Sequence, residues 1–115
     1  AYRTSGTEIV IEFSEGHGIK PEDRLRHHGI DIGAVTKVEL TQDLSRVLVS
    51  VRLNSNANAI AREGSQFWIV RPALSLDNIS GLDTILGAKY LSVRPGSPEA
   101  KRSTRFVGLE TAPIS

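Results

Sequence analysis

The sequence predicts a small all-β domain, a mostly antiparallel barrel or sandwich of six or seven short strands. Apolar and polar residues alternate with a period of two in several short segments, as in strands that bury one face. Helix signals are confined to a single short segment. With 115 residues, 39% hydrophobic and 23% charged, the chain has enough apolar residues for one packed core and no room for a second.

Three segments carry the clearest strand pattern, at 8–13, 32–41 and 46–53, and a turn is predicted between the last two. Further short strands are predicted at 24–28, 66–70, 89–93 and 105–109. Trp68 lies inside one of them and is predicted to belong to the core. In the three clearest strands, the residues predicted to face inward are Ile9, Ile11, Phe13, Ile32, Ala34, Val38, Leu40, Val47, Val49, Val51 and Leu53.

One helix is predicted at 56–64, with Asn56 as its N-terminal cap and Gly64 as its stop. Two linkers, at 14–23 and 95–103, contain the glycines and prolines that interrupt strands. Gly29 and Gly33 flank a short Ile-Asp-Ile segment, where a turn or a close approach of strands favours a residue without a Cβ.

Between residues 72 and 87 the alternation stops, and the segment is apolar apart from two aspartates. Ile79, Leu82 and Leu86 have the spacing of one face of a helical turn, and Gly81 and Gly87 bracket the most apolar part. Two interpretations of this pattern are open. The segment is either a lid folded over the open end of the barrel or an apolar loop held outside it to contact a partner copy or a lipid.

Composition excludes several kinds of chemistry. The chain has no cysteine, and its net charge of +1 is not that of a protein that grips a phosphate backbone. His27 and His28 are predicted to point to opposite faces of a strand, so they are not expected to share a metal. A metal site that joins His17 and one of these two histidines to Glu15 or Asp23 is left open, and surface histidines near a loop are the expected alternative.

The densest basic cluster lies in or beside the second linker, at Lys101, Arg102 and Arg105. A solvated turn is the expected role of such a cluster, and a patch for anionic lipid or another subunit is the alternative.

An ordered set of short motifs gives a family resemblance over residues 6–96. The chain resembles the MCE domain (named from mammalian cell entry), in particular the multi-domain branch that includes paraquat-inducible protein B. One departure is Lys20 to Asp23, where family members often carry a glycine. The motifs are Glu12-Phe13, Gly18-Ile19, His28 to Val35, Val38-Glu39-Leu40, Gln66 to Pro72, Ser80-Gly81-Leu82 and Leu86 to Gly96.

The resemblance implies a seven-stranded β-barrel whose copies form a hexameric ring, with a hydrophobic tunnel for phospholipid between inner and outer membranes. By position it implies that Leu82, Ile85 and Leu86 line the pore, with Leu76 and Ile79 as further pore-loop residues. It implies structural roles for Gly81 and Gly87, and no enzymatic activity, cofactor, metal or nucleic-acid partner. The alternative is a small β-barrel that binds nucleic acid or another protein.

The resemblance also carries an expectation about the whole protein. Residues 1–115 are expected to be a single MCE domain, with its core at about 6–96 and a final strand and exit linker at about 104–115. The expected parent is a longer protein with tandem MCE domains in the periplasm. It would be anchored to the inner membrane through an N-terminal segment missing here, and would have an inner-membrane partner.

Overall fold

Seven strands and one 3₁₀ helix form in the part of the chain that this computed structural model describes, residues 6–71 and 89–113. No helix among these residues is long and apolar enough to cross a bilayer. In chain order the elements are β1 (Glu8–Phe13), β2 (Arg24–His27), β3 (Ile30–Leu40), β4 (Val47–Leu53), the 3₁₀ helix (Ser55–Ile60), β5 (Gln66–Val70), β6 (Tyr90–Arg94) and β7 (Arg105–Val107).

The strands form one sheet in the order β5-β6-β2-β3-β4-β1-β7. The pairs β2–β6 and β1–β7 are parallel, and the other four are antiparallel. The two ends of the sheet meet, because the Leu109 amide donates to the Phe67 carbonyl at 2.8 Å and the Phe67 and Phe106 rings pack at 4.9 Å. The sheet is therefore a nearly closed seven-stranded barrel, which confirms the predicted fold class.

The interior of the barrel is filled by aliphatic side chains and phenylalanines from every strand except the short β7, whose Phe106 packs against it from the rim. Burial of each such side chain is worth about 1.5–3 kcal/mol, so this interior is the main source of stability. The largest fully buried side chains are Phe67, Ile9, Ile11, Leu25, Leu53, Leu91, Val35, Val49 and Val51.

Strands β1 and β5 have the predicted bounds, and the predicted inward face of β3 is correct only in part, because Ile32 and Val38 pack against the core and Leu40 does not. Val35 is buried while Leu40 is 55% exposed. The register shifts between Val35 and Lys37, where β3 pairs with β4. A β-bulge adds one residue to one strand and so exchanges the faces on either side of it. The strict alternation assumed for Ala34 and Val38 therefore does not hold across the whole strand.

The predicted helix is shorter and of another type. The structure has a 3₁₀ helix at Ser55–Ile60, and the residue at its N-cap position is Asn54 in place of Asn56. Gly64 lies beyond the helix at a φ of 92°.

The loop from 14 to 23 lacks the glycine that the family pattern led us to expect at residues 20–23. Glu22 occupies a left-handed conformation, with φ of 82°. The amides of Glu22 and Val35 donate to the carbonyls of Val35 and Asp23 at 2.9 and 2.7 Å, which joins the loop to β3. The buried Asp23 carboxylate accepts hydrogen bonds from the Lys20 amide at 2.9 Å and the Lys20 Nζ at 3.0 Å.

Candidate functional site

The residues assigned to the pore loop lie outside the described part of the chain. They remain predictions, and only the attachment points of this segment have a described geometry. The residues concerned are Leu76, Ile79, Gly81, Leu82, Ile85, Leu86 and Gly87.

The segment 72–88 joins two strands that are directly paired. Val70, the last residue of β5, lies opposite Tyr90, the first residue of β6. The chain therefore leaves and re-enters the barrel at one point on one end. That end, called the loop end below, also carries the end of β1, the turn between β3 and β4, and the 14–23 loop, as the strand directions require.

Strand β6 is held firmly where the chain re-enters the barrel. The Arg26 guanidinium lies 4.8 Å from the centre of the Tyr90 ring, and its Nε binds Asp31 Oδ1 at 2.9 Å. A cation over an aromatic ring at an exposed site is worth about 0.5–1 kcal/mol. The Lys89 side chain packs against Gly18. These contacts give the segment 72–88 a rigid base.

The loop end of the barrel is closed in part by residues within the described ranges. Phe13 and Ile19 belong to the buried core at this end, and Ile19 comes from the 14–23 loop. The Ile19 amide donates a hydrogen bond to the Gly16 carbonyl at 2.8 Å, which closes a turn within that loop. Residues of the described ranges thus cover part of the core at this end, and the two interpretations of 72–88 stay predictions.

The two glycines of the β2–β3 hairpin have distinct surroundings. Gly29 has a φ of 80° in the turn between β2 and β3. A Cβ on Gly33 would lie 2.9 Å from the Arg52 carbonyl oxygen, because Gly33 sits between Leu25 of β2 and Leu53 of β4. Glycine therefore suits position 29 because of its positive φ, and it suits position 33 because a Cβ has no room there.

Trp68 does not belong to the core, contrary to the prediction. Phe67 is the side chain of β5 that points into the barrel, and alternation places the half-buried Trp68 on the outer face. Its indole ring lies between two surface grooves. One, of about 480 Å³, runs between β5 and the segment 110–112, and the other, of about 420 Å³, is bounded by His27, His28 and Arg94.

The two adjacent histidines also differ from expectation. Strand β2 ends at His27, and His28 turns back with a φ of 53°, so the two ring centres are only 4.2 Å apart. Among the residues the structure describes, no three histidines or carboxylates are grouped to hold a metal. The suggested site at His17 loses one ligand, because both oxygens of Asp23 are already bonded to Lys20.

The basic cluster is part of a loop that is bonded to the end of the 3₁₀ helix. The Lys101 carbonyl accepts from the Glu63 amide at 2.8 Å, and the Arg62 guanidinium donates to the Ala100 carbonyl at 3.1 Å. Lys101, Arg102 and Arg105 are themselves exposed. Exposure is common to a solvated turn and to a patch for anionic lipid or another subunit, so the role of this cluster stays a prediction.

One exposed apolar site was missed by the sequence analysis. Leu44, in the turn between β3 and β4, is 70% exposed and has a φ of 63°. The Asp43 carboxylate accepts hydrogen bonds from the Thr41 hydroxyl at 2.7 Å and from the Ser45 amide and hydroxyl at 3.1 and 2.7 Å. These bonds lower the pKa of Asp43 from 3.8 to about 2. The position of Leu44 directly after Gln42-Asp43, in a predicted turn, could have indicated that this leucine is exposed.

Comparison with known proteins gives a match for most of the chain. The family model described as MlaD protein matches residues 5–96. A Haemophilus influenzae protein named "Probable intermembrane transport protein" is 38% identical over 111 residues, and the Escherichia coli K12 "Lipophilic envelope-spanning tunnel protein B" is 35% identical over 114. The chain covers 12% and 13% of the length of these two relatives.

A solved structure shares the fold. A chain of the Acinetobacter MlaFEDB complex, in its ATP-bound Vtrans1 conformation, superposes with a TM-score of 0.65 at 16% identity. The match covers 99% of this chain and 80% of that one. The same barrel thus occurs with a largely different sequence.

Proposed function

The chain belongs to the MlaD protein family, the MCE-domain proteins that its motifs resemble, and from this premise we propose that it is a non-enzymatic lipid-transport module. In this proposal it is one barrel subunit of a hexameric ring. The ring encloses a hydrophobic tunnel through which phospholipid moves between the inner and outer membranes. The names of the two curated relatives, which speak of intermembrane transport and of a lipophilic envelope-spanning tunnel, support this reading.

The observation that carries the proposal is the length and composition of the connection between β5 and β6. Val70 and Tyr90 are directly paired, and a hairpin between paired strands needs only about two to five residues. The apolar residues of 72–88 therefore exceed what the fold requires. Long connections of this kind in a small domain usually serve a function.

The packed interior directs the proposed path to the outside of the barrel. In the part of the chain that the structure describes, buried side chains such as Ile9, Phe67 and Leu91 occupy the interior, which argues against a lipid path through it. A route between copies, lined by the segment 72–88 of each copy, avoids the core altogether. Leu82, Ile85 and Leu86 are the proposed lining, with Leu76 and Ile79 beside them.

A lining of this kind suits transport. Each buried CH₂ group of an acyl chain gains about 0.8 kcal/mol, so a deep pocket would hold a long chain too firmly to release it. A shallow apolar surface repeated around a ring provides many weak contacts. The lipid can then pass from one set of contacts to the next.

The proposal extends to the surroundings of the domain. The two curated relatives are several times longer than this chain, which supports a parent with neighbouring MCE domains. We place that parent in the periplasm, anchored to the inner membrane and in contact with an inner-membrane partner.

The proposal is tested by measuring phospholipid that co-purifies with the full-length protein. The variant L82N/I85N/L86N should retain little phospholipid, because the amides remove the apolar lining. The control R52N alters an exposed outer position on β4 and should retain the wild-type amount. Equal phospholipid in both variants, with unchanged circular dichroism, would contradict the proposal.

A second candidate rests on the groove beside Trp68. An indole ring next to His27, His28 and Arg94 has the aromatic and cationic groups that bind single-stranded nucleic acid. The net charge of +1 and a single tryptophan argue against it. Titration with oligonucleotides at low and high salt separates the two candidates, and we expect no salt-sensitive binding.

A further inference from the structure

The turn between β3 and β4 presents an apolar side chain at a conformational cost. Leu44 has a φ of 63°, a region that glycine and asparagine adopt far more easily than leucine. Its side chain is 70% exposed, and the neighbouring Leu40 is 55% exposed. Neither the fold nor solubility gains from a leucine there. Strain of this kind in an otherwise well-bonded turn is common where a side chain has a binding role.

The turn is rigid as well as strained. Two backbone hydrogen bonds close it: the Thr41 amide donates to the Arg46 carbonyl, and the Leu44 amide donates to the Thr41 carbonyl, both at 2.9 Å. The Asp43 carboxylate adds three hydrogen bonds to Thr41 and Ser45. Leu44 is therefore held outward in one orientation, with the negative charge of Asp43 beside it. We call Asp43 and Leu44 the knuckle.

A groove with matching chemistry lies on the far side of the barrel. It has a volume of about 480 Å³, with Trp68 to Arg71 on one wall and Glu110 to Ala112 on the other, and we call it the β5 groove. Apolar atoms of Trp68, Ile69 and Val70 can receive a leucine side chain. The exposed Arg71 provides a positive charge, and the carboxylate of Glu110, the other charge on its walls, already accepts from the Ser14 hydroxyl.

Strand order places the knuckle and the β5 groove nearly opposite each other. From the gap between β3 and β4 to the gap between β7 and β5, three strands intervene in one direction and four in the other. Both features lie at the loop end of the barrel. A contact between different surfaces on opposite sides of a subunit joins copies head to tail, which produces a ring when the rotation closes.

We propose that the Leu44 knuckle of one copy docks in the β5 groove of the next, with Asp43 facing Arg71. This inference rests on the proposed ring and identifies the surfaces that hold it together. Docking in this way brings the segments 72–88 of successive copies to the same end of the assembly, as a common tunnel requires.

The chain contains no cysteine, so disulfide cross-linking can test the contact directly. The variants L44C and T111C are prepared separately, mixed at high protein concentration and oxidised. The mixture should give mainly the mixed dimer, and the double variant L44C/T111C should give a ladder of oligomers. The matched control is L44C mixed with R52C, an exposed outer position away from the β5 groove, which should give only background dimer.

Three further variants test the chemistry of the contact. In the T111C background, R71E should lower the cross-linking rate about fivefold, the size expected for reversal of one exposed charge, while R71K should keep it. In a cysteine-free chain, L44N should relieve the strained backbone and raise the midpoint of thermal unfolding, yet reduce association measured by sedimentation. A merely structural role of Leu44 predicts no loss of association.

The outcomes separate this inference from the proposed function. If the protein has the mass of a hexamer but L44C cross-links to R52C as well as it does to T111C, the proposed docking is overturned and the proposed ring is not. Absence of any assembly together with absence of cross-links in the full-length protein overturns both. Association of L44C with phospholipid vesicles that L44N loses, without cross-links to T111C, makes the knuckle a lipid contact and also overturns the docking.

Discussion

The Asp43 side chain stabilises the turn between β3 and β4, and its lowered pKa can be tested. Hydrogen bonds from Thr41 and Ser45 favour its charged form and lower its pKa from 3.8 to about 2. The carboxylate is more acidic in the folded state. Its stabilising contribution is therefore complete above pH 4 and is lost as the pH falls through about 2.

An NMR titration of the aspartate carboxyl carbons measures this pKa directly. The value expected for Asp43 is about 2, and a value near 3.8 would mean that the hydrogen bonds are absent in solution. The variant D43N should lose this part of the pH dependence of unfolding between pH 4 and 2.

Glu22 occupies a conformation that suits glycine, with φ of 82°. The variant E22G should raise the free energy of unfolding by about 1 kcal/mol, because glycine adopts positive φ without a steric penalty. The control E22A keeps a Cβ and should bring no gain. Chemical denaturation of the two variants provides the comparison, and a less stable E22G would show that the loop has another conformation in solution.

The backbone conformation of single turn residues was predicted from the sequence only in part. The family resemblance led us to expect a glycine at residues 20–23, and the structure has a positive φ there, at Glu22. Nothing in the sequence pattern indicated positive φ at Leu44 or His28. Backbone conformation in a short turn depends on its hydrogen bonds and on strand twist, which residue type alone does not specify.

Among the elements, β3 depends on a close contact between backbones. A Cβ at Gly33 would lie 2.9 Å from the Arg52 carbonyl oxygen and 3.4 Å from the Leu53 Cα. We expect G33A to lower the free energy of unfolding by about 1–3 kcal/mol, the usual cost of forcing extra volume into a packed region. The control G16A would meet only the Val47 side chain at 3.4 Å and should be nearly neutral. Equal stability of both variants would contradict the close approach.

A stability measurement can show whether the connection between β5 and β6 is an outer loop or a lid over the core. If the segment 72–88 lies outside the core, the variant I85N/L86N should cost less than about 1 kcal/mol of stability. If it covers the core, the same change buries amides without partners and costs several kcal/mol. Equilibrium unfolding in urea measures the difference, and a large loss would favour the lid.

Alternation predicted the elements well where strands are regular. It fixed the bounds of β1 and β5 and the inward residues of β4, because one face of each strand meets the core. It failed in part at β3, where the register shifts after Val35 and Leu40 is exposed. It also failed at Trp68, which was assigned to the core because it lies inside a strand, whereas its register places it outside. A bulge follows from barrel curvature, which no single segment encodes.

For the whole molecule, we expect the isolated chain to associate weakly. A single domain lacks neighbouring domains and anchors that raise its local concentration in a longer protein. Sedimentation should show a monomer of 12.5 kDa or a concentration-dependent mixture of monomer and hexamer. A stable dimer at all concentrations would contradict a ring, because a closed pair uses up the surfaces that a ring needs.

The fold and the family could be predicted from the sequence, whereas the two surfaces that we propose to join the copies could not. The ordered motifs from Glu12-Phe13 to Gly96 identified the family, and the matched range of 5–96 agrees with it. The β5 groove combines residues from two distant parts of the chain, and the knuckle comes from a third. Their relation appears only after the strand order brings Leu44 and Arg71 to opposite sides of one barrel end.

The central claim is that the segment 72–88 contacts lipid, and photo-cross-linking in the full-length protein within its membranes tests it most directly. A photoreactive residue is placed in turn at Leu82, Ile85 and Leu86, and at Arg52 as the outward-facing control. The account predicts phospholipid adducts, identified by mass spectrometry, at the three loop positions and none at Arg52. Adducts absent from the loop, or equally abundant at Arg52, would contradict it.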